Sequence, residues 1–251
     1  MNEMPQESPP EAQPSNQVQV AVHAVPPYVT YTIIGVTVFV YLLQLASKFF
    51  FSGADYPAYF GMKINEAILA GQLWRLITPV LLHGSLTHIG FNMYALFSIG
   101  AGMESRMGHR RFLILYLVSG FAGNVFSFYF SSANSLGAST AIFGLLAAEG
   151  VFLYLNKGLF GARGKKALSN IIMIAVVNLF IGLSPGIDNW GHVGGLLGGI
   201  IFAWFGGPRW EVTGVRPLLR LEDRRTMRDA AQGAALVIGI FGAIALLKFI
   251  A

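Results

Sequence analysis

The sequence predicts an all-α protein, a polytopic bundle of about seven helices that cross a membrane. Three observations carry that reading. Apolar residues fill 54% of the 251 positions and charged residues only 12%, where a soluble domain carries about a quarter. Uncharged stretches run 24–47, 76–103, 112–148, 167–187, 189–208 and 230–247, and roughly 20 apolar residues suffice for a helix to cross a bilayer. The Lys and Arg residues are gathered into short clusters between those stretches, as the loops of a membrane protein collect them.

Each helix follows from a break in the pattern. The stretch 112–148 is too long for one crossing, and the helix-poor patch Ser131-Ser132-Ala133-Asn134-Ser135 divides it. The expected helices are therefore 28–50, 79–104, 111–130, 139–156, 167–184, 189–206 and 230–249. Residues 51–75 are too polar to span and too rich in Phe, Tyr, Leu and Trp for a plain linker. They are expected to lie in the outer interface, with Trp74 and Tyr56 or Tyr59 at headgroup depth. Residues 1–27 hold Glu3, Glu7, Glu11 and four early prolines but no cation, so they read as a disordered cytoplasmic tail and not as a targeting segment. A core over 28–207, a cytoplasmic loop over 208–229 and an added carboxyl-terminal helix over 230–251 complete the expected organisation.

Charge sets the expected orientation. Three connections, after the second, fourth and sixth helices, hold thirteen of the 17 Lys and Arg, leaving Lys48, Lys63, Arg75 and Lys248 for the other side. Cation-rich loops stay in the cytoplasm, which puts the amino terminus inside. The net charge of +5 is thereby explained by topology, and no nucleic-acid partner is expected. The chain has no cysteine, which removes disulfides, thiolate metal sites and a cysteine nucleophile.

Polar groups within membrane helices are costly and mark function by default. The second helix carries His83, His88 and Asn92, the fourth opens with Ser139, and the sixth opens on Asp188-Asn189-Trp190-Gly191-His192. All three helices run the same way, so a hydroxyl, imidazoles and an amide share one side and one depth. His88 and Asn92, four apart, point from one face, whereas His83 is expected to face elsewhere and pin the first loop. Gly191, Gly195 and Gly199 form a stripe on the sixth helix, with Gly194 and Gly198 beside it. Thr140, Gly144 and Ala148 form another on the fourth. Small residues at this spacing let membrane helices touch. His192 is then the base able to activate Ser139, and the helix start at Ser139, with His88 and Asn92, offers donors to an oxyanion. Asp188, four before His192, could orient it; its place at the membrane edge favours a two-residue dyad. Taken singly, Ser139 reads as a cap and His192 as an interhelical hydrogen-bond partner. A His83/His88/His192 metal site is disfavoured by the spacing and the lack of carboxylates, so no metal and no cofactor are expected.

The stretches WRLITPVLLHGSLTHIGFNMYALFSIGAGMESRMG, LGASTAIFGLL and NWGHVGGLLGG resemble, in order and content, the rhomboid family, over roughly 70–205. The resemblance implies a six-helix core with a seventh helix added, in a bacterial inner membrane, its site opening outward. It implies an intramembrane serine endopeptidase with Ser139 and His192 as a catalytic dyad, His88 and Asn92 at the oxyanion, and Gly137 and Phe143 in support. The partners it implies are transmembrane protein substrates and the lipid bilayer. Trp74-Arg75 and Glu104-x-Arg106 would be structural signatures. Two positions depart from the family pattern: Thr140 stands where glycine usually follows the serine, and Phe143 where bacterial relatives commonly have tyrosine. Two other readings are an inactive rhomboid-like protein that binds membrane helices and, more remotely, a small-solute transporter or channel, for which no internal repeat is evident.

Overall fold

A computed structural model describes residues 20–21, 24–215 and 218–250. Residues 1–19, most of the expected tail, lie outside the described residues. Seven long helices form the described protein: α1 (Tyr28–Phe50), α4 (Leu86–Met107), α5 (His109–Phe130), α6 (Ser139–Leu155), α7 (Lys157–Ile181), α8 (Asn189–Gly206) and α9 (Met227–Ile250). Between α1 and α4 run two short helices, α2 (Tyr56–Gly61) and α3 (Asn65–Leu69), and two 3-10 turns, Leu73–Leu76 and Thr78–Leu81. Among the described residues, α1, α5, α7 and α9 are long and apolar enough to cross a membrane on that basis alone, and α6 is apolar but shorter. The protein is an integral membrane protein, and its polar functional candidates sit on the remaining helices of the bundle.

The second long helix starts later than 79. Thr78-Pro79 make a 3-10 turn, Leu82 is extended, and the Ser85 hydroxyl caps α4 by accepting from the His88 N–H at 3.2 Å. A serine cap with an upstream proline wins over the unbroken hydropathy that suggested an earlier start. The fifth long helix begins earlier than 167, at Lys157, with a break at Gly161 (φ 52°, ψ −134°). The expected plain loop over 208–229 is instead a hairpin of β2 (Trp210–Val215) and β3 (Leu218–Asp223), with β1 (Val20–Ala21) pairing parallel on β3. Its strands are six residues each and broken up by charged residues and Gly214, too short for a clear period-2 signal.

At the centre, α6 is buried on all sides, from Thr140 to Ala148 and again from Gly150 to Leu153, as an all-apolar helix should be. It packs against α5 and α8 with almost no side-chain thickness between the backbones. A Cβ placed on Gly195 would fall on the Thr140 carbonyl oxygen, and one on Gly199 on the Gly144 backbone. On the neighbouring stripe, a Cβ on Gly194 or Gly198 would strike Phe126 or Ala122 of α5. One face of α8 thus meets α6 and the next meets α5. The contrast is α7, where Gly164 is the only buried residue among those described and Met173, Val176 and Phe180 are open to lipid.

The far end of the bundle is tied by ion pairs. Glu104, fully buried, caps α1: its oxygens accept from Val29 N at 2.8 Å, Thr30 N at 2.7 Å and Thr30 Oγ1 at 2.7 Å, and meet His109 Nδ1 at 2.5 Å. Arg106 pairs with Glu149 of α6, and Arg111 with Asp223 of the hairpin. The other end holds the four remaining cations, each with an internal partner: Lys48 with Asp55, Arg75 with the Tyr59 and Met62 carbonyls, Lys248 with the Tyr129 carbonyl, and Lys63 as described below.

Gly195→Val should destabilise the protein by about 1–3 kcal/mol or more, as overpacking does. Gly239→Val, on α9 where nothing lies within 4 Å of the added atom, should leave the thermal midpoint in detergent unchanged. Equal effects of the two would show that close packing of α6 on α8 is not what holds the centre together.

Candidate active site

The site is built at the amino-terminal ends of α4, α6 and α8. The chain leaves α5, passes through 131–138 and makes a tight turn into α6. Gly137 sits in that turn at φ +137°, where a Cβ would be 2.8 Å from His88 Nε2. Only glycine serves there, for both backbone and space. The turn is anchored by Gly137 N donating to Pro79 O at 2.9 Å and by Ala138 N donating to His83 Nε2 at 3.4 Å.

Ser139 is the first residue of α6. Its N-cap, Ala138, has no side-chain acceptor, so the first-turn N–H groups of the helix lack the usual cap. The Ser139 hydroxyl does not serve as one. Its Oγ lies 3.0 Å from His192 Nε2, across 53 residues of sequence. His192 is 8% exposed, and its ring stacks on Phe143 with centroids 4.2 Å apart and planes at 11°. Loss of a tyrosine hydroxyl at 143 leaves that stacking intact.

Asp188 does not complete a triad. It caps α8, its Oδ1 accepting from Gly191 N at 3.1 Å, and His192 Nδ1 finds no partner among the described residues. His88 stands over the Ser139 turn. Its Nδ1 is 3.5 Å from the Gly84 nitrogen, and its Nε2 lies toward Gly137. Asn92, one turn further along α4, gives one amide hydrogen to the His88 carbonyl at 2.9 Å and keeps the other.

Thr140 is accommodated beside the turn, its Oγ1 buried without a hydrogen-bond partner among the described residues. Its side chain lies where α5 and α8 both present glycine: a Cβ on Gly123 would be 2.6 Å from Thr140 Cβ, and one on Gly191 would be 3.0 Å from Thr140 Cγ2. The β-branched group fills that hollow.

His83 lies before α4, not on it, so helical spacing does not turn it away from His88. The two rings meet edge to face at 5.0 Å. Gln44 of α1 clamps the His83 backbone, donating to its carbonyl at 3.2 Å and accepting its N–H at 3.0 Å. Neither Gln44 nor the His83–Ala138 bond has a local signature, because both join segments 39 and 55 residues apart. Glu149 of α6 is the partner of Arg106, and Asn178 of α7 donates to Ile174 O of its own helix at 2.8 Å.

A family model described as the Rhomboid domain covers residues 70–209. The chain belongs to the rhomboid family. Rhomboid protease GluP of Bacillus subtilis (strain 168) is 43% identical over 145 residues, 57% of this chain and 28% of that protein. Rhomboid protease AarA of Providencia stuartii is 34% identical over 167 residues, 57% of this chain and 59% of that protein. RHOMBOID-like protein 4 of Arabidopsis thaliana is 34% identical over 145 residues, 57% of this chain and 36% of that protein. The matched part is under two thirds of the length of each of these relatives. The matched region holds Ser139, His192, His88 and Asn92 together with the glycine contacts that pack α8 on α6, so the rhomboid core and the candidate site are one unit.

Thr140→Gly should destabilise this rhomboid core by about 1–3 kcal/mol, from lost packing and poorer helix propensity. A rise in the thermal midpoint would mean that threonine strains the turn after all.

Proposed function

We propose that the protein is an intramembrane serine endopeptidase that cuts peptide bonds in or near the transmembrane segments of other membrane proteins. The observation that carries this is the Ser139 Oγ–His192 Nε2 distance of 3.0 Å at the uncapped start of α6. A helix start can receive an anion, through its free N–H groups and its dipole. A nucleophile beside a base at that spot has the parts acyl transfer requires.

The chemistry runs as follows. His192 Nε2 takes the Ser139 proton as Oγ attacks the scissile carbonyl carbon. The oxyanion is received by first-turn N–H groups of α6, by His88 Nε2–H and by the free hydrogen of Asn92 Nδ2, donors fixed in place before charge develops. His192 then passes the proton to the leaving amine, and a water activated by the same imidazole hydrolyses the ester. Nothing beyond water is consumed. His192 works without a carboxylate partner, its ring held by Phe143 instead. The polar connection 131–135, with Asn134 exposed, provides water with a route to Ser139.

The orientation follows from the sorting of cations by bundle end. The site end, with its four internally paired cations, faces outward across a bacterial inner membrane, and the end bearing the hairpin faces the cytoplasm. Residues 28–207 are the catalytic core, and α9 is an addition to it.

Reconstituted with a transmembrane substrate, wild type should cleave, and Ser139→Ala and His192→Ala should each abolish cleavage while remaining folded. Asn92→Ala should lower kcat by about 10–1,000-fold with a smaller change in KM. Cleavage that survives Ser139→Ala would end the proposal, and a folded wild type that cuts no substrate would favour a helix-binding relative without activity. For orientation, Asn134→Cys should react with an impermeant thiol reagent added outside cells and Arg163→Cys should not, since both positions are exposed and the chain has no other cysteine. The reverse pattern would invert the topology.

A further inference from the structure

Lys63, in the segment between α2 and α3, is fully buried. Its Nζ donates to the carbonyls of Ala133 at 2.6 Å, Ser131 at 3.1 Å and Ser127 at 3.4 Å. Its backbone pairs with Ser135 in both directions, N to O at 2.9 Å and O from N at 3.2 Å. Asn65, two residues on, gives its amide to Ser131 O at 2.8 Å. Three carbonyls therefore converge on one ammonium, at the place where α5 ends and the connection to Ser139 begins. An ammonium has three hydrogens for three acceptors, and a helix carboxyl end favours a cation. A neutral amine has two hydrogens, and its lone pair would face a carbonyl oxygen.

The connection 131–138 has little else to hold it. After Ser135 its anchors to the rest of the fold are Gly137 N to Pro79 O and Ala138 N to His83 Nε2. The Ser139 turn is thus suspended between those bonds and the Lys63 clamp. We propose that Lys63 is a positioning residue for Ser139, its charged ammonium holding the 131–135 segment so that the turn at 137–138 presents the hydroxyl to His192. This rests on the reading of Ser139 as nucleophile.

The clamp is titratable. Burial pulls the Lys63 ammonium down to about 8; Asp188 at the start of α8 and Glu66 on α3 raise it, and Lys248 at the end of α9 lowers it further. Below that value the ammonium is intact. As pH rises through it the proton leaves and the carbonyl cluster loses its cation, so turnover should fall on the alkaline side.

Hydrogen exchange of the peptide spanning 131–138 reads the clamp directly, whether or not the protein is an enzyme. After correction for intrinsic base catalysis, its protection should fall by about tenfold or more as wild type is taken from about pH 6.5 to 9.5. In Lys63→Met protection should be low at every pH, and kcat for substrate cleavage should drop by about 10–100-fold with KM little changed. Lys63→Arg, which keeps its charge, should lose the alkaline fall in kcat. Wild-type protection and kcat in Lys63→Met would overturn the proposal, as would lost protection with unchanged kcat. If Lys63→Met does not fold, the wild-type series decides alone, and constant protection across that range overturns it. If wild type cleaves nothing at all, the protease reading fails, and the exchange data still judge the clamp.

Discussion

Everything at the site depends on how closely α8 can approach α6. Two helices with ordinary side chains between them keep their axes about 8–10 Å apart. Here the backbones of Gly195 and Gly199 lie against the carbonyls of Thr140 and Gly144, leaving no room for a Cβ. Hydrophobic burial cannot drive this contact where lipid is as apolar as the partner helix, so dispersion and backbone fit must supply it. The first turn of α8 is then carried to the first turn of α6, which places His192 Nε2 3.0 Å from Ser139 Oγ. The glycines at 194 and 198 repeat the arrangement against α5, and the hollow between Gly123 and Gly191 takes Thr140. A position where threonine looks out of pattern in the sequence is, in three dimensions, filled.

The second constraint is the cost of unpaired polar groups in a dry setting. Around the site several polar groups join segments. Gln44 of α1 holds the His83 backbone, His83 holds Ala138, and Pro79 O holds Gly137, so the turn before Ser139 is tied to the 79–83 stretch and, through it, to α1. Lys63 adds a charge to the 131–135 segment that leads into this turn. At the other end Glu104 replaces the missing cap of α1, and Arg106 and Arg111 lock α6 and the hairpin. Among the described residues helix α7 shows no comparable ties and is the least enclosed of the long helices.

Much of this was legible in the sequence because membrane helices penalise polar residues. Ser139, His88, Asn92 and His192 stood out against uncharged runs, and the glycine spacing named the two helices that touch. Helix boundaries were less legible where local chemistry overrode hydropathy, as at Ser85, whose cap delays α4, and at Gly161, which bends α7 without ending it. The hairpin at 210–223 was missed because its strands are short and charged. Gln44 and Lys63 could not be assigned, and the partners of His83 could not be named, because they lie tens of residues away and no periodicity marks them. Local patterns reveal which residues are out of place in lipid, and only the assembled fold reveals what each one holds.

The central claim is that Ser139 is an activated nucleophile, made so by His192 alone. A fluorophosphonate probe, with the modified peptide identified by mass spectrometry, tests it most directly, since an ordinary serine hydroxyl does not react. Wild type in detergent or liposomes should be labelled on the peptide that contains Ser139. Ser139→Ala and His192→Ala should each remove the label, because the two act as a unit, and Asp188→Ala should keep it. A label that persists in Ser139→Ala, or a folded wild type that takes none, would contradict the account.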